Sequence, residues 1–114
     1  MATFDDVREI ALSLPEVVEH PSYEGRPAFR VNKKNYCYRR DDTSLSVYVA
    51  DVGEKEALLA SDATKFFTTP HYDGYAMVCV HLAKIGVKEL REIITDAWRL
   101  KAPKRAVKAF DAGG

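Results

Sequence analysis

The chain has 114 residues, with 17 basic and 17 acidic side chains, so its formal net charge is zero at pH 7. This length fits one domain, and the 46% share of hydrophobic residues is enough for that domain to fold alone. Balanced charge argues against a dedicated nucleic-acid-binding protein, which is usually basic. No apolar run reaches the roughly 18 residues of a membrane span, and no signal peptide opens the chain, so we expect a cytoplasmic protein that does not enter membranes.

The first half of the chain predicts one helix followed by a sheet. Apolar residues at helical spacing predict a helix over residues 4–14, beginning with a capping box at Thr3. Residues 15–27 are rich in proline, glycine and glutamate and are predicted to be mostly loop. Alternating apolar and polar residues then predict three short strands within residues 28–50, joined by polar turns into an antiparallel meander.

The second half predicts further helices around one more strand. Its elements are a short helix at 53–60, an aromatic loop at 62–74, a strand at 75–82, a long helix between Gly86 and Pro103, and a last turn at 104–110. The resulting order is α-β-β-β-α-β-α. It predicts a single α+β domain over residues 1–114, with an antiparallel sheet packed against N- and C-terminal helices.

The sequence contains no motif of a known catalytic or cofactor site. It lacks a glycine-rich nucleotide loop, a zinc-protease motif, a serine-hydrolase elbow and a calcium loop. Cys37 and Cys79 stand in separate strand-like segments without metal-ligand spacing, which predicts two buried thiols. We therefore assign no catalytic residue, no metal site and no cofactor, and we favour a protein that is not an enzyme.

Basic residues are concentrated where aromatic residues also occur. Residues 26–40 hold six basic side chains and no acidic one, and a second basic run closes the chain. Such a surface can follow phosphates with its cations and stack bases on its rings. The candidate nucleic-acid-binding residues are Arg26, Arg30, Lys33, Lys34, Arg39, Arg40, Tyr36, Tyr38, Lys104 and Arg105. The alternative interpretation is a solvated sheet face on which tyrosines and arginines pair across strands.

Two loops each place a histidine beside a proline and close to a tyrosine. If the fold brings these loops together, the candidate pocket residues are His20, Tyr23, His71 and Tyr72. Histidine can act there as an acid or base, or bind a metal together with Glu24 or Asp73. The alternative is that both histidines pack against their prolines and satisfy loop carbonyls.

Several short motifs, in this order, resemble the MmcQ/YjbR family of small bacterial proteins over essentially the whole chain. They are LSLPEV (12–17), HP (20–21), GRPAFRV (25–31), LLASD (58–62), FF (66–67), PHY (70–72), EL (89–90), AWRL (97–100) and APKR (102–105). Each motif is weak alone, but the ordered set is specific.

The resemblance implies an α+β fold similar to that of CyaY, the bacterial frataxin. The family has no established biochemical activity, and a DNA-binding role has been proposed for it from a double-wing arrangement. Frataxin's iron chemistry is not carried over, because it depends on a dense acidic ridge and the first helix here offers only Asp5, Asp6 and Glu9. Fold similarity does not confer function.

Three hypotheses follow. The leading one is a non-enzymatic binding module, with DNA as the most concrete ligand. The second is a small-ligand pocket, either for binding alone or for catalysis, at the His20 and His71 loops. The third is a protein-interaction domain that uses the exposed sheet face or an edge strand.

Overall fold

A computed structural model describes residues 1–22 and 25–113, which form four α-helices and six β-strands. The helices are α1 (Phe4–Ser13), α2 (Val52–Ser61), α3 (Val87–Lys101) and α4 (Lys104–Gly113). The strands are β1 (Val18–Pro21), β2 (Pro27–Val31), β3 (Lys34–Arg39), β4 (Ser44–Tyr48), β5 (Phe66–Phe67) and β6 (Met77–His81). The predicted α+β class is confirmed. None of the helices described is long and apolar enough to cross a membrane.

All six strands join one antiparallel sheet in the order β1-β2-β3-β4-β6-β5. The central four were expected from their alternation. The two edge strands lie in segments that the sequence predicted to be loops. Strand β1 is largely exposed and therefore lacks an alternating apolar pattern, and β5 has only two residues. The last helix is also longer than the turn predicted at residues 104–110, and it continues to Gly113.

Helix α1 begins with the predicted capping box. The Thr3 side chain accepts a hydrogen bond from the backbone N–H of Asp6, and the Asp6 carboxylate accepts one from the backbone N–H of Thr3 at 2.8 Å. Both bonds satisfy donors that a helix N-terminus would otherwise leave unpaired. The helix then buries Val7, Ile10 and Ala11 in the main core, where α1 packs against α3.

One face of the sheet carries the main hydrophobic core, and all four helices contribute side chains to it. Trp98 of α3 is fully buried at its centre, and its indole Nε1 donates to the Pro15 carbonyl at 3.0 Å. This bond ties the C-terminal half of α3 to the segment after α1. The buried Trp98 side chain therefore links α3, late in the sequence, to the segment that follows α1.

A bulge between β2 and β3 turns one tyrosine toward the helices. Phe29 pairs with Cys37 and Arg30 with Asn35, so Tyr36 is left without a partner in the register. The Tyr36 ring is completely buried, and its hydroxyl donates to the Ala11 carbonyl of α1 at 3.3 Å. The prediction that Tyr36 stacks on bases is thus wrong, because no face of its ring is accessible.

The opposite face of the sheet carries a second, smaller cluster. Tyr38, Ser46, Cys79 and Phe67 lie side by side across neighbouring strands. Tyr72, from a single-turn 3₁₀ helix at Pro70–Tyr72, packs onto them. Within the described part of the chain, no α-helix contributes to this cluster. This face is therefore the open side of the sheet.

Replacing Trp98 by phenylalanine should lower the free energy of unfolding, because Pro15 loses its donor and the smaller ring leaves a cavity. The unpaired carbonyl alone should cost roughly 1–3 kcal/mol. Denaturant unfolding followed by far-UV circular dichroism measures the loss, since the variant has no tryptophan fluorescence. Leu100→Ala, at an exposed position of the same helix, is the control and should lose far less. Equal losses in both variants would contradict the role given to Trp98.

Candidate functional site

A cleft of about 360 Å³ opens on the uncovered face of the sheet, where β3 ends. It is lined by side chains from the loop after β1, the end of β3, the turn before β4 and the 3₁₀ helix. We call it the arginine cleft, and its lining residues are Ser22, Arg26, Tyr38, Arg39, Arg40, Asp41, Thr69, His71 and Tyr72. Three of these are arginines, of which Arg39 pairs with Asp42 and Arg40 with Asp41.

Hydroxyl groups form one side of the cleft. Tyr38 and Tyr72 share a hydrogen bond between their hydroxyls, and Ser46 Oγ lies 3.0 Å from the Tyr72 hydroxyl. Burial, followed by the hydrogen bond with Tyr72, raises the pKa of Tyr38. The phenol therefore keeps its proton at neutral pH and remains a hydrogen-bond donor.

Arg40 is held in place by its neighbours on the open face. Its Nη1 donates to Asp41 Oδ2 at 2.5 Å, and its guanidinium lies 5.4 Å from the centre of the Phe67 ring. Its Nε and Nη2 atoms have no hydrogen-bond partner among residues 1–22 and 25–113. A fixed guanidinium with free donors is suited to a planar, bidentate contact with a phosphate or carboxylate.

The other two arginines stand at the rim of the cleft. Arg39 points toward the helix side, where its guanidinium lies 4.7 Å from the Phe4 ring and its Nε donates to the Asp41 carbonyl at 3.2 Å. Arg26 is exposed and makes no ion pair with any residue that the structure describes. Arg26 is therefore the more accessible of the two cations.

Asp41 organises the turn between β3 and β4. Its Oδ1 accepts hydrogen bonds from the backbone and the hydroxyl of Thr43 and of Ser44, at 2.8–3.1 Å. Burial acts to raise the pKa of Asp41, but these hydrogen bonds together lower it to about 2. The carboxylate is thus charged at neutral pH and orients Arg40.

Lys55 anchors the loop that carries His71 and Tyr72. Its side chain is buried in α2, and Nζ donates to the carbonyls of Tyr72 at 2.6 Å and Tyr75 at 3.1 Å. The left-handed backbone of Gly74, with φ of 81°, lets the loop turn back toward these donors. This helix of the core layer therefore fixes one side of the cleft.

The cleft brings together residues from both groups of candidates predicted from the sequence. Arg26, Tyr38, Arg39 and Arg40 of the basic stretch line it beside His71 and Tyr72 of the histidine loops. The exposed His71 ring packs edge-on against the Tyr72 ring, with 5.2 Å between their centres. The two predicted sites thus overlap in one place.

The remaining pocket candidates are not part of this cleft. His20 Nε2 lies 2.7 Å from Asn35 Oδ1, and His20 lines a separate shallow depression with Pro21 and Gly25. Tyr23, the other predicted pocket residue, lies outside the described residues, as does Glu24. Among the residues that are described, no three histidine, cysteine, aspartate or glutamate side chains are grouped closely enough to hold a metal ion.

The remaining basic candidates lie at other positions. Arg30 shares the open face through its pairing with Asn35, and its buried Nε has no hydrogen-bond partner within the described ranges. Lys33 and Lys34 are exposed at the far end of the β2–β3 hairpin. Lys104 and Arg105 begin α4, on the helix side. Arg105 forms a bidentate ion pair with Glu16 at 2.7 and 3.1 Å, and Lys104 is exposed.

Comparison with known proteins agrees with this fold. The sequence model of the YjbR family matches residues 12–100. The chain belongs to the YjbR family. Uncharacterized proteins of Mycobacterium bovis and Mycobacterium tuberculosis are 38% identical to it, over 96% of this chain and 96% of theirs.

A solved structure has the same fold as this YjbR protein. It is the crystal structure of a Deinococcus radiodurans protein with a DUF419 domain, which superposes with a TM-score of 0.73. The match covers 88% of this chain and 78% of the other, at 24% identity, a level that supports the fold alone. Family membership and fold are thus established together, and the expected MmcQ/YjbR resemblance is confirmed.

Sequence reasoning missed several residues that build the site. Ser46 alternates with apolar residues as any strand serine does, and Lys55 stands between two glutamates in a helix, which is typical of an exposed position. The sequence does indicate the role of Asp41. An aspartate followed two residues later by threonine and three residues later by serine is typical of a turn in which the aspartate side chain accepts backbone hydrogen bonds. Only the fold shows that this turn borders a cleft.

Lys55→Met keeps the length of the side chain and removes the ammonium group, so the carbonyls of Tyr72 and Tyr75 lose their donor. We expect a loss of roughly 1–3 kcal/mol in unfolding free energy and faster amide hydrogen exchange in residues 70–75. Denaturant unfolding and exchange mass spectrometry measure these effects. Lys88→Met, at an exposed position of α3, is the matched control. A Lys55 variant as stable and as protected as its control would contradict the anchoring role.

The low pKa of Asp41 predicts a pH-dependent contribution to stability. Its folded-state pKa of about 2 is below the ordinary value, so the contribution is present above about pH 4 and is lost as the pH falls toward 2. Asp41→Asn should therefore be less stable than the parent at pH 7, with a difference that shrinks between pH 4 and 2. Denaturant unfolding at several pH values tests this.

The control for Asp41 is Asp42→Asn, which removes an equal charge from the same turn without touching the bonds to Thr43 and Ser44. The same pH-dependent loss in this control would show that general charge, and not the bonded carboxylate, is responsible.

Proposed function

We propose that this protein is a non-enzymatic binding module whose arginine cleft holds a phosphate group of nucleic acid. The observation that carries the proposal is the cleft itself, which is lined by Arg26 and Arg40 and has the protonated hydroxyl of Tyr38 at its side. Guanidinium groups and hydroxyl donors are the groups that proteins most often offer to phosphate oxygens. Zero net charge does not oppose this, because the relevant charge is local.

The open face of the sheet offers a path for a nucleic-acid strand beyond the cleft. Strand β3 runs from Lys34 at the hairpin end to Arg39 at the cleft, five residue steps that span about 17 Å at about 3.3 Å each. Between these ends Arg30 lies on the open face, whereas Lys34 pairs with Val31 of the helix-side core. A strand with one phosphate in the cleft could therefore contact Arg30 with a later one.

The proposal predicts binding that weakens steeply with salt, because each phosphate contact releases counterions. Fluorescence anisotropy with labelled single- and double-stranded DNA at 50 and 200 mM salt, as approximate working points, measures it. Arg26→Gln should weaken binding and reduce the slope of log K against log salt by roughly 0.7–0.9.

Arg91→Gln is the matched control, because Arg91 is an exposed arginine on α3, in the helix layer on the other side of the sheet. It should bind as the parent does. An absence of binding at the lower salt concentration, with protein at tens of micromolar, would refute the proposal.

A second candidate function is the binding of a small anionic molecule. It is favoured by the volume of the cleft, which falls in the range of about 300–1,000 Å³ that small-molecule sites occupy. This version of the ligand pocket uses His71 and Tyr72 together with the arginines, and His20 has no part in it. Affinity for a mononucleotide that equals the affinity for an oligonucleotide would favour it.

A further inference from the structure

We infer that the arginine cleft is a site for a terminal phosphate, the monoester at one end of a nucleic-acid strand, in preference to an internal phosphodiester. This inference rests on the proposed function and names the part of the ligand that the cleft receives. Its basis is the set of hydrogen-bond donors in the cleft and the way a ligand can reach them.

Charge in the cleft suits a phosphate group of either kind. Arg26 and Arg40 line it, and Asp41 pairs with Arg40. Arg39 is turned to the helix side, where it pairs with Asp42 at 3.7 Å. The preference for a monoester therefore depends on the donors of the cleft and on access to them.

The donors of the cleft also fit three terminal oxygens. Arg40 has Nε and Nη2 without partners in the described residues, which can meet two oxygens of one phosphate. The hydroxyl chain supplies a third donor, because Ser46 can donate to Tyr72 and Tyr72 to Tyr38. Tyr38 then has its own proton free for the ligand. A monoester has three terminal oxygens to accept these bonds, and a diester has two.

The floor of the cleft limits how a ligand can enter. Beneath the two tyrosine hydroxyls are Ser46 and Cys79, and both are completely inaccessible to solvent. A group that reaches the Tyr38 hydroxyl must enter from the open side and stop there. The end of a strand can do so without bending, whereas an internal phosphate would need the chain to fold in and out of the cleft.

The test uses one oligonucleotide sequence in three forms: with a 5′-phosphate, with a 3′-phosphate, and with hydroxyls at both ends. Each carries its fluorescent label on an internal base, and anisotropy at one salt concentration gives the three dissociation constants. We expect one phosphorylated form to bind at least about tenfold more tightly than the unphosphorylated form. Which end gives the gain identifies the polarity of the bound strand.

Variants locate the gain. Tyr38→Phe and Arg40→Gln should reduce the advantage of the phosphorylated form by most of its value while changing the affinity for the unphosphorylated form little. Arg26→Gln, at an exposed side chain, should weaken the binding of all three forms and that of the phosphorylated form most, and it serves in case either of the other variants fails to fold, as circular dichroism would reveal. Arg91→Gln, outside the cleft, should keep the full advantage.

Each outcome has a separate meaning. Equal affinities for all three forms would overturn the terminal-phosphate inference and leave the proposed function standing. No binding of any form would overturn both. A terminal-phosphate advantage that survives in every cleft variant would place the recognised group elsewhere and overturn the inference.

Discussion

Packing all four helices against a single face of the sheet is the constraint on which the other features of this protein depend. That face can hold the apolar core because the helices exclude water from it. The opposite face must bury enough surface to stay ordered and must also meet the solvent. Tyrosine satisfies both demands, because its ring packs and its hydroxyl remains available, and Tyr38 and Tyr72 supply the hydroxyls that border the arginine cleft.

The alternation of side chains along β3 separates two adjacent arginines that the sequence alone cannot distinguish. Arg39 turns toward the helices and packs over Phe4, so it stabilises the contact between α1 and the sheet. Arg40 follows it on the open face, where Asp41 fixes one side of its guanidinium and leaves the other side free. Neighbouring residues of the same type thus serve the core layer and the candidate site in turn.

The sequence predicted the elements whose signals are local and periodic: the capped α1, the meander of β2 to β4, β6 and α3. It did not predict the edge strand β1, because an exposed strand carries no apolar alternation. Nor could it predict the site as one unit, since Tyr38 and Tyr72 are distant in the chain and meet only through the sheet register. Tyr36 was predicted to be available for base stacking, because alternation cannot reveal the bulge that shifts the pairing by one residue and turns this side chain toward the helices.

The order of the strands also determines how this sheet meets other copies of itself. A six-stranded sheet offers two edges, and an open edge is a template for pairing with another chain. Here one edge is β5, only two residues long, and the other is β1, which ends at Pro21, a residue without an N–H to donate. Arg8 of α1 further binds Glu19 of β1 through two hydrogen bonds. At high protein concentration, the two edges of this sheet therefore offer few unpaired backbone N–H and C=O groups to which a strand of another copy could bind.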